Sequence, residues 1–318
     1  MKTTFLTLIM LLCVHWNNAQ NNITFIKTET VQKHLYTLAS DAMEGRKAGS
    51  LGIEKAAQYI ASEFEKIGLI PFENLTSFRQ NFRANNIEMS NIIGVLEGRS
   101  MKDEYVVISA HYDHLGKKSE GEGDLIYNGA DDDASGTTAV LTLAQYFKEL
   151  GTNERSLVFI AFTGEEMGLL GSRHFGKDVD ASKFIAGINI EMIGKTSTFG
   201  PKTAWLSGFD RSDFGKIIQK NLEKTEYRLY PDPYTNLKLF FRSDNASLAE
   251  LGIPSHTFST SPIDVDIHYH QVTDEAETLD MEVVTETIRA IALGTQSIIN
   301  GKDTPTRVVL KKGEGRRN

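Results

Sequence analysis

Residues 105–116 read YVVISAHYDHLG, and the change of character at residue 111 decides how the chain folds. The first six residues are mostly β-branched and apolar, with no regular polar alternation. That is the pattern of a strand covered on both faces. The run then stops at His111, Tyr112, Asp113 and His114. The same change recurs downstream: SLVFIAF (156–162) passes into Thr163-Gly164-Glu165-Glu166, and FIAGINI (184–190) passes into Glu191. NIIGVLEG (91–98) and IPSHTF (253–258) are two further strand candidates. Helical patterns lie between the runs, notably TTAVLTLAQYFKEL (137–150) and VVTETIRAIALGTQSII (283–299). Short apolar strands alternating with helices predict an α/β fold, a three-layer sandwich whose mixed, mostly parallel central sheet is flanked by helices. Open sheets of this kind place their sites at the carboxyl ends of the strands. Three strands ending in His or Glu point to such a site here.

Upstream, residues 30–69 read as helices: VQKHLYTLA, a turn GRKAGSLG, then IEKAAQYIASEFEKIG. Ala57, Ile60, Ala61 and Phe64 form an apolar stripe, and Gly68 is placed to end the helix. Too few residues separate Gly68 from Asn91 for an inserted domain, and no internal repeat occurs. The expected organisation is a single catalytic domain over 20–303 and a polar C-terminal tail over 304–318. The first 19 residues differ in kind. Lys2 precedes a short apolar stretch from Phe5 to Val14, and Ala19 before Gln20 suits a cleavage site. This segment predicts an exported protein, periplasmic or extracellular. No stretch approaches the roughly 20 apolar residues of a membrane span.

The single cysteine, Cys13, lies inside that segment, so disulfides, zinc knuckles and cysteine nucleophiles are excluded from the remainder. The large Leu12 before it disfavours lipid attachment. With 40% hydrophobic and 24% charged residues among 318, the composition is that of a globular protein. A net charge of −8 with no basic stripe argues against a nucleic-acid partner.

Without thiols, zinc is bound by imidazole nitrogen and carboxylate oxygen, and a catalytic site keeps one position open. Five groups at or near the strand ends fit: His111, the Asp131-Asp132-Asp133 cluster, Glu166, Glu191 and His270. Asp113, two residues after His111, is spaced to accept a hydrogen bond from the second ring nitrogen and so fix its tautomer. GxSxG, HExxH, the P-loop and GxGxxG are all absent from the sequence, which removes the competing chemistries.

Taken in order, SAHYDHLG (109–116), NGADDDASGTTAVL (128–141), FTGEEMGLLGS (162–172), NIEMIG (189–194), SDNASLAELGIP (243–254) and YHQVTDEAETL (269–279) resemble the M28 family of zinc aminopeptidases. The likeness covers most of the chain. It implies a hydrolase that removes N-terminal residues from peptides through a hydroxide bridged between two Zn2+ ions. Asp132 matches the bridging carboxylate. His111 and Glu191 match the ligands completing one zinc, and Glu166 and His270 the other. Glu165 matches the general base, and the Asp132–Asp133 peptide bond is implied to be cis. The family position of Glu191 is usually aspartate, which makes this the ligand in doubt. Peptides with a free N-terminus are the implied partners. The preferred residue and the oligomeric state stay open.

Other residues carry weaker expectations. Tyr269 is placed to donate its phenol hydrogen to an oxyanion, and Asp244 to support the site from behind. Ser243 reads as a helix cap, and Ser135 as part of the turn after the ligand. His114 reads as a surface residue, His174 as helix packing, His256 as a satisfied core histidine and His34 as structural. Strand-like alternation would put His268 on the same face as His270. Two other functions remain: a glutaminyl cyclase using one zinc, which resembles the same family, and a non-catalytic binding protein on the same fold.

Overall fold

The computed structural model describes residues 23–310 and 314. The expected signal peptide and Cys13 lie outside the described residues. In chain order the strands of the main sheet are β1 (Ile70–Pro71), β2 (Arg79–Ala84), β3 (Ile87–Leu96), β4 (Met101–His111), β5 (Arg155–Phe162), β6 (Phe184–Ile190), β7 (Thr203–Leu206), β8 (Arg228–Pro231) and β9 (Ser255–Ser259). Their spatial order is β1-β3-β5-β4-β6-β9-β7-β8, with β2 also paired to β3. The four strands β5, β4, β6 and β9 run parallel, side by side, at the centre. Strand β3 adds antiparallel to β5, and β7 antiparallel to β9, so the sheet is mixed.

The alternation along each central strand feeds two apolar layers. Leu157, Phe159 and Ala161 of β5 pack to one side with Val106, Ile108 and Ala110 of β4. Val158, Ile160 and Phe162 point to the other, with Val107. The first side is covered by α1 (Thr28–Leu38), α2 (Leu51–Ile67), α3 (Gly136–Leu150), α5 (Phe214–Leu222) and α7 (Met281–Gly294). The second is covered by α4 (Leu170–Lys177) and the short α6 (Asn245–Ala249), through Phe175 and Leu248. Two covered faces explain why the central strands are apolar throughout. This is the three-layer sandwich expected. Helix α2 also starts and stops at residues readable in the sequence: Ser50 Oγ accepts the N–H of Ile53, and Gly68 takes the left-handed conformation at φ 80°.

Four strands of the main sheet were not foreseen: β1, β2, β7 and β8. The β2–β3 hairpin turns at Asn85-Asn86, both at positive φ, and β7 and β8 are four residues each. Their sequences carry too few consecutive apolar residues to stand out. The boundary at residue 303 also needs correcting. Val308 is buried against Phe240 and Ala249, Thr306 bonds Asp213, and Arg307 donates to the carbonyl of Phe184. The folded body therefore runs to at least residue 310, because this stretch is polar in composition but laid along the surface of the sandwich.

Candidate metal centre

The carboxyl ends of β5, β4, β6 and β9 form one edge of the sheet. Glu165 and Glu166 follow β5, His111 ends β4, Glu191 follows β6, and the loop after β9 carries Tyr269, His270 and Asp274. A tight turn over Ala130–Ser135, leading directly into α3, adds Asp131, Asp132 and Asp133. Gly129 enters this turn at φ 55°, where a Cβ would lie 2.3 Å from the Asp132 carbonyl oxygen. Only glycine fits that approach.

The three aspartates have different jobs. Asp131 Oδ1 accepts the N–H of Gly194 at 2.7 Å. Asp133 Oδ1 accepts the N–H groups of Gly136 (2.9 Å) and Met192 (3.2 Å). One oxygen of each outer carboxylate is thus spent on backbone, which ties the turn to the segment after β6. The Asp132–Asp133 peptide bond is cis. The Asp132 carboxylate alone faces the histidines: Oδ1 lies 3.2 Å from His111 Nε2, and Oδ2 lies 3.1 Å from His270 Nε2.

These separations test whether a cation fits. His111 Nε2 and Glu166 Oε1 are buried and have no hydrogen-bond partner. His111 Nε2 is close to Asp132 yet makes no hydrogen bond with it. Ligand atoms of His111, Asp132 and Glu191 lie within 4.8 Å of one another, as do those of His114, Asp132 and Glu166. His270 Nε2 is 3.3 Å from Glu166 Oε1. Orphaned buried nitrogens and oxygens gathered in two groups around one shared carboxylate are donors that could hold a metal ion.

Burial dominates the protonation of these groups. Burial pushes Glu165 well above the usual carboxylate range, and the charges of Glu191, Asp244 and Glu166 add to it against the opposing pull of His111. Burial depresses His270, but the adjacent carboxylates of Asp132 and Glu166 outweigh it and raise the imidazole to about 10. Asp132 is held well below its ordinary value against the cost of burial, by His111 and His270. Such mutual dependence marks a cluster assembled to hold positive charge.

The sequence model of peptidase family M28 matches residues 91–294, more than half of the chain. The chain belongs to peptidase family M28. Aminopeptidase YwaD of Bacillus subtilis is 31% identical over 113 residues, covering 34% of this chain and 23% of that protein. The alkaline phosphatase isozyme conversion protein of Escherichia coli is 28% identical over 179 residues, 52% of this chain and 50% of that one. The chain thus spans half or less of the length of these relatives. Among solved structures, a zinc aminopeptidase of Bacillus subtilis superposes with a TM-score of 0.70 at 17% identity, covering 90% of this chain and 98% of that one. The glutaminyl cyclase of Porphyromonas gingivalis superposes at 0.66 with 15% identity, covering 86% and 99%. At these identities the structures establish the shared fold.

Within this M28 domain several residues stand where the sequence did not put them. His114, expected at the surface, is 2% exposed and points Nδ1 at Glu166 Oε1, 3.1 Å away. Asp113 does not cap His111 with its carboxylate, which is 3.9 Å from Nδ1. Its backbone carbonyl takes that place at 3.1 Å, and its carboxylate accepts the N–H groups of Glu165 and Glu166. Ser243 is more than a cap: it accepts from Asn189 Nδ2 and lines the cleft beside Glu191. His268 does not join His270, because residues 267–270 form a turn rather than a strand; it bonds Thr273 instead. Asp244 is fully buried behind the site, its carboxyl pushed up to about 7 by burial.

Two positioning residues were missed altogether. Arg46 is fully buried and donates to four carbonyls, those of Tyr112, Leu38, Asn128 and Gly129. It thereby joins the end of β4 to the turn that carries Asp132. Asp274 accepts the N–H groups of Asp131 and Asp132 from the opposite side. Beside the cluster opens a cleft lined by Glu165, Glu191, Tyr269, Trp205 and Ile263 among others.

Proposed function

We propose that this M28 protein is an exported two-zinc aminopeptidase. The observation that carries the proposal is Asp132, whose two oxygens face different histidines, one toward His111 and the other toward His270. His111, Asp132 and Glu191 would hold one zinc. Asp132, Glu166 and His270 would hold the other. Glu191 supports this despite its extra methylene, because its carboxylate reaches the same small region as His111 and Asp132. Bound there, the two ions supply a lowered pKa for water and polarisation of the scissile carbonyl.

Glu165 faces the cleft without being needed as a ligand, and burial gives it an affinity for protons that suits a general base. It takes a proton from the attacking water and passes it to the leaving amine. Tyr269 stacks on His270 with ring centroids 4.0 Å apart, and burial first, then Asp132, keeps its phenol protonated. That leaves a hydrogen to donate to the oxyanion. The acidic wall of Glu165, Glu166 and Glu191 favours a substrate's free α-amine over an internal peptide bond. Among the described residues no helix is long and apolar enough to cross a membrane. The N-terminal pattern of residues 1–19 supports export.

The test is hydrolysis of a panel of aminoacyl chromogenic amides, with and without a chelator and with zinc restored, beside elemental analysis. Hydrolysis lost to the chelator and regained with two zinc per chain is the expected result. One tight zinc with cyclisation of N-terminal glutamine would replace this reading by the cyclase one. Bound zinc with neither activity would leave a binding protein.

A further inference from the structure

We propose that His114 is a further protein ligand of the metal position built on Glu166 and His270, so that the two positions of the centre are unequal. The inference rests on the two-metal reading above. The position on His111 and Glu191 has three protein donors and keeps room for water or substrate. The other has four, Asp132, Glu166, His270 and His114.

Three observations carry it. First, the His114 ring is fully enclosed, and neither of its nitrogens has a hydrogen-bond partner. A buried imidazole without partners is costly unless something takes its lone pair. Second, His114 Nδ1 is 3.1 Å from Glu166 Oε1, yet the two are not aligned for a hydrogen bond. Both atoms are thus left available to a shared third partner. Third, the spacings suit a cation as that partner. Zinc–ligand bonds of about 2.0–2.1 Å in a tetrahedron put neighbouring donors about 3.3 Å apart. The separations here are 3.1 Å for His114 to Glu166, 3.3 Å for His270 to Glu166, 3.1 Å for His270 to Asp132 and 3.8 Å for His114 to Asp132.

The backbone holds His114 in this pose. Its N–H donates to the carbonyl of Arg46 at 3.1 Å, and its ring lies over Gly129, where a Cβ would stand 2.5 Å from the imidazole. Arg46 and Gly129, which place the Asp132 turn, therefore place His114 as well. A position with four protein donors holds its ion more tightly than one with three, while both ions can still share the attacking water. The centre then pairs an anchored ion with a labile one.

The experiment is chelator titration of the zinc-loaded full chain, read by elemental analysis. The native protein is expected to lose one equivalent early and to keep the second. His114→Ala is expected to lose both together, with the second ion bound about 100-fold or more weakly, beyond the effect of removing a mere supporting contact. Circular dichroism of the metal-free form controls for folding. His114→Cys supplies a second readout: loaded with cobalt, it should show a thiolate-to-metal charge-transfer band absent from the native protein. The natural Cys13 is replaced by Ser in both proteins. Retention of the second ion by His114→Ala with unchanged affinity, or no such band in His114→Cys, overturns the proposal. Glu166→Ala separates this failure from failure of the two-metal reading, since it should still cost one ion if only the role of His114 is wrong. Failure of the native protein to bind two zinc ions sinks both.

Discussion

Asp113 Oδ1 accepts the backbone N–H of Glu165 at 3.1 Å, so the loop after β4 holds the turn after β5. The second oxygen takes the N–H of Glu166 at 3.4 Å. One carboxylate thus fixes the proposed base and a proposed ligand together, while its own backbone carbonyl orients His111. In Asp113→Asn one oxygen becomes an NH2 group that faces an N–H donor and leaves it unpaired. Since Glu165 and Glu166 both shift, zinc affinity and kcat are expected to fall together, each by about 10–100-fold. Metal titration beside steady-state kinetics checks this. A fall in kcat with intact affinity would assign Asp113 to the base alone.

Arg46 makes the same kind of link on the other side of His111. Four carbonyls from three segments converge on one buried guanidinium. Arg46→Met removes a donor from all four, of which Gly129 keeps the N–H of Ala134, and removes a positive charge facing Asp132, Asp274 and Asp133. The loss is expected to exceed about 3 kcal/mol in urea unfolding of the metal-free protein. Arg46→Lys should recover little of it, because an ammonium has three donors and no planar fork.

The contrast between Arg46 and His111 shows what a sequence discloses. His111, Glu165, Glu166 and Glu191 are legible because each sits where an apolar run stops, and a run is a local pattern. Asp132 needed the family motif, since three adjacent aspartates are chemically alike and only Gly194, Gly136 and Met192 N–H groups tell them apart. Arg46 acts through residues 66 to 83 positions away, in a segment that reads as a glycine-rich turn, and no local signal marks it. His114 was misplaced for a related reason. Sequence shows that it follows the strand, but not that the Arg46 carbonyl turns it inward. The central parallel strands were foreseen, whereas four-residue β7 and β8 are built by their neighbours.

Gly136 opens α3 beneath the cluster, and a Cβ there would lie 2.3 Å from the Ile190 carbonyl oxygen and 2.5 Å from both oxygens of Asp133. Gly136→Ala must push Asp133 off the N–H groups of Gly136 and Met192. The expected result is reduced zinc content with a destabilisation of about 1–3 kcal/mol, typical of overpacking. The corresponding change at Gly123, where nothing lies within 4 Å, gives the control. Gly123 is at positive φ whereas Gly136 is helical, so the control carries a backbone cost that Gly136→Ala lacks, and a larger loss in Gly136→Ala reports the clash.

His256 should govern part of the acid limb of stability. It is wholly buried in β9, with Nδ1 2.9 Å from the carbonyl of Ser207 and Nε2 2.8 Å from Ser212 Oγ. The first contact makes Nδ1 the donor, which leaves Nε2 to accept, so the ring is neutral. Burial first, with Arg211 adding to it, lowers its pKa from 6.5 to about 4. Between these values the unfolded chain binds the proton and the folded one does not. Stability is therefore full above pH 6.5 and is lost as pH falls toward 4. The shift corresponds to about 3 kcal/mol. In His256→Gln the drop in unfolding free energy between pH 7 and pH 4, measured with urea, is expected to shrink by about this amount. Loss of the ring's stacking on Phe214 lowers the whole curve but leaves the difference in slope readable. His34, buried against Tyr59 and also lowered to about 4, retains its own share in the variant. Parallel curves for the two proteins would mean that His256 is protonated in the folded state without cost.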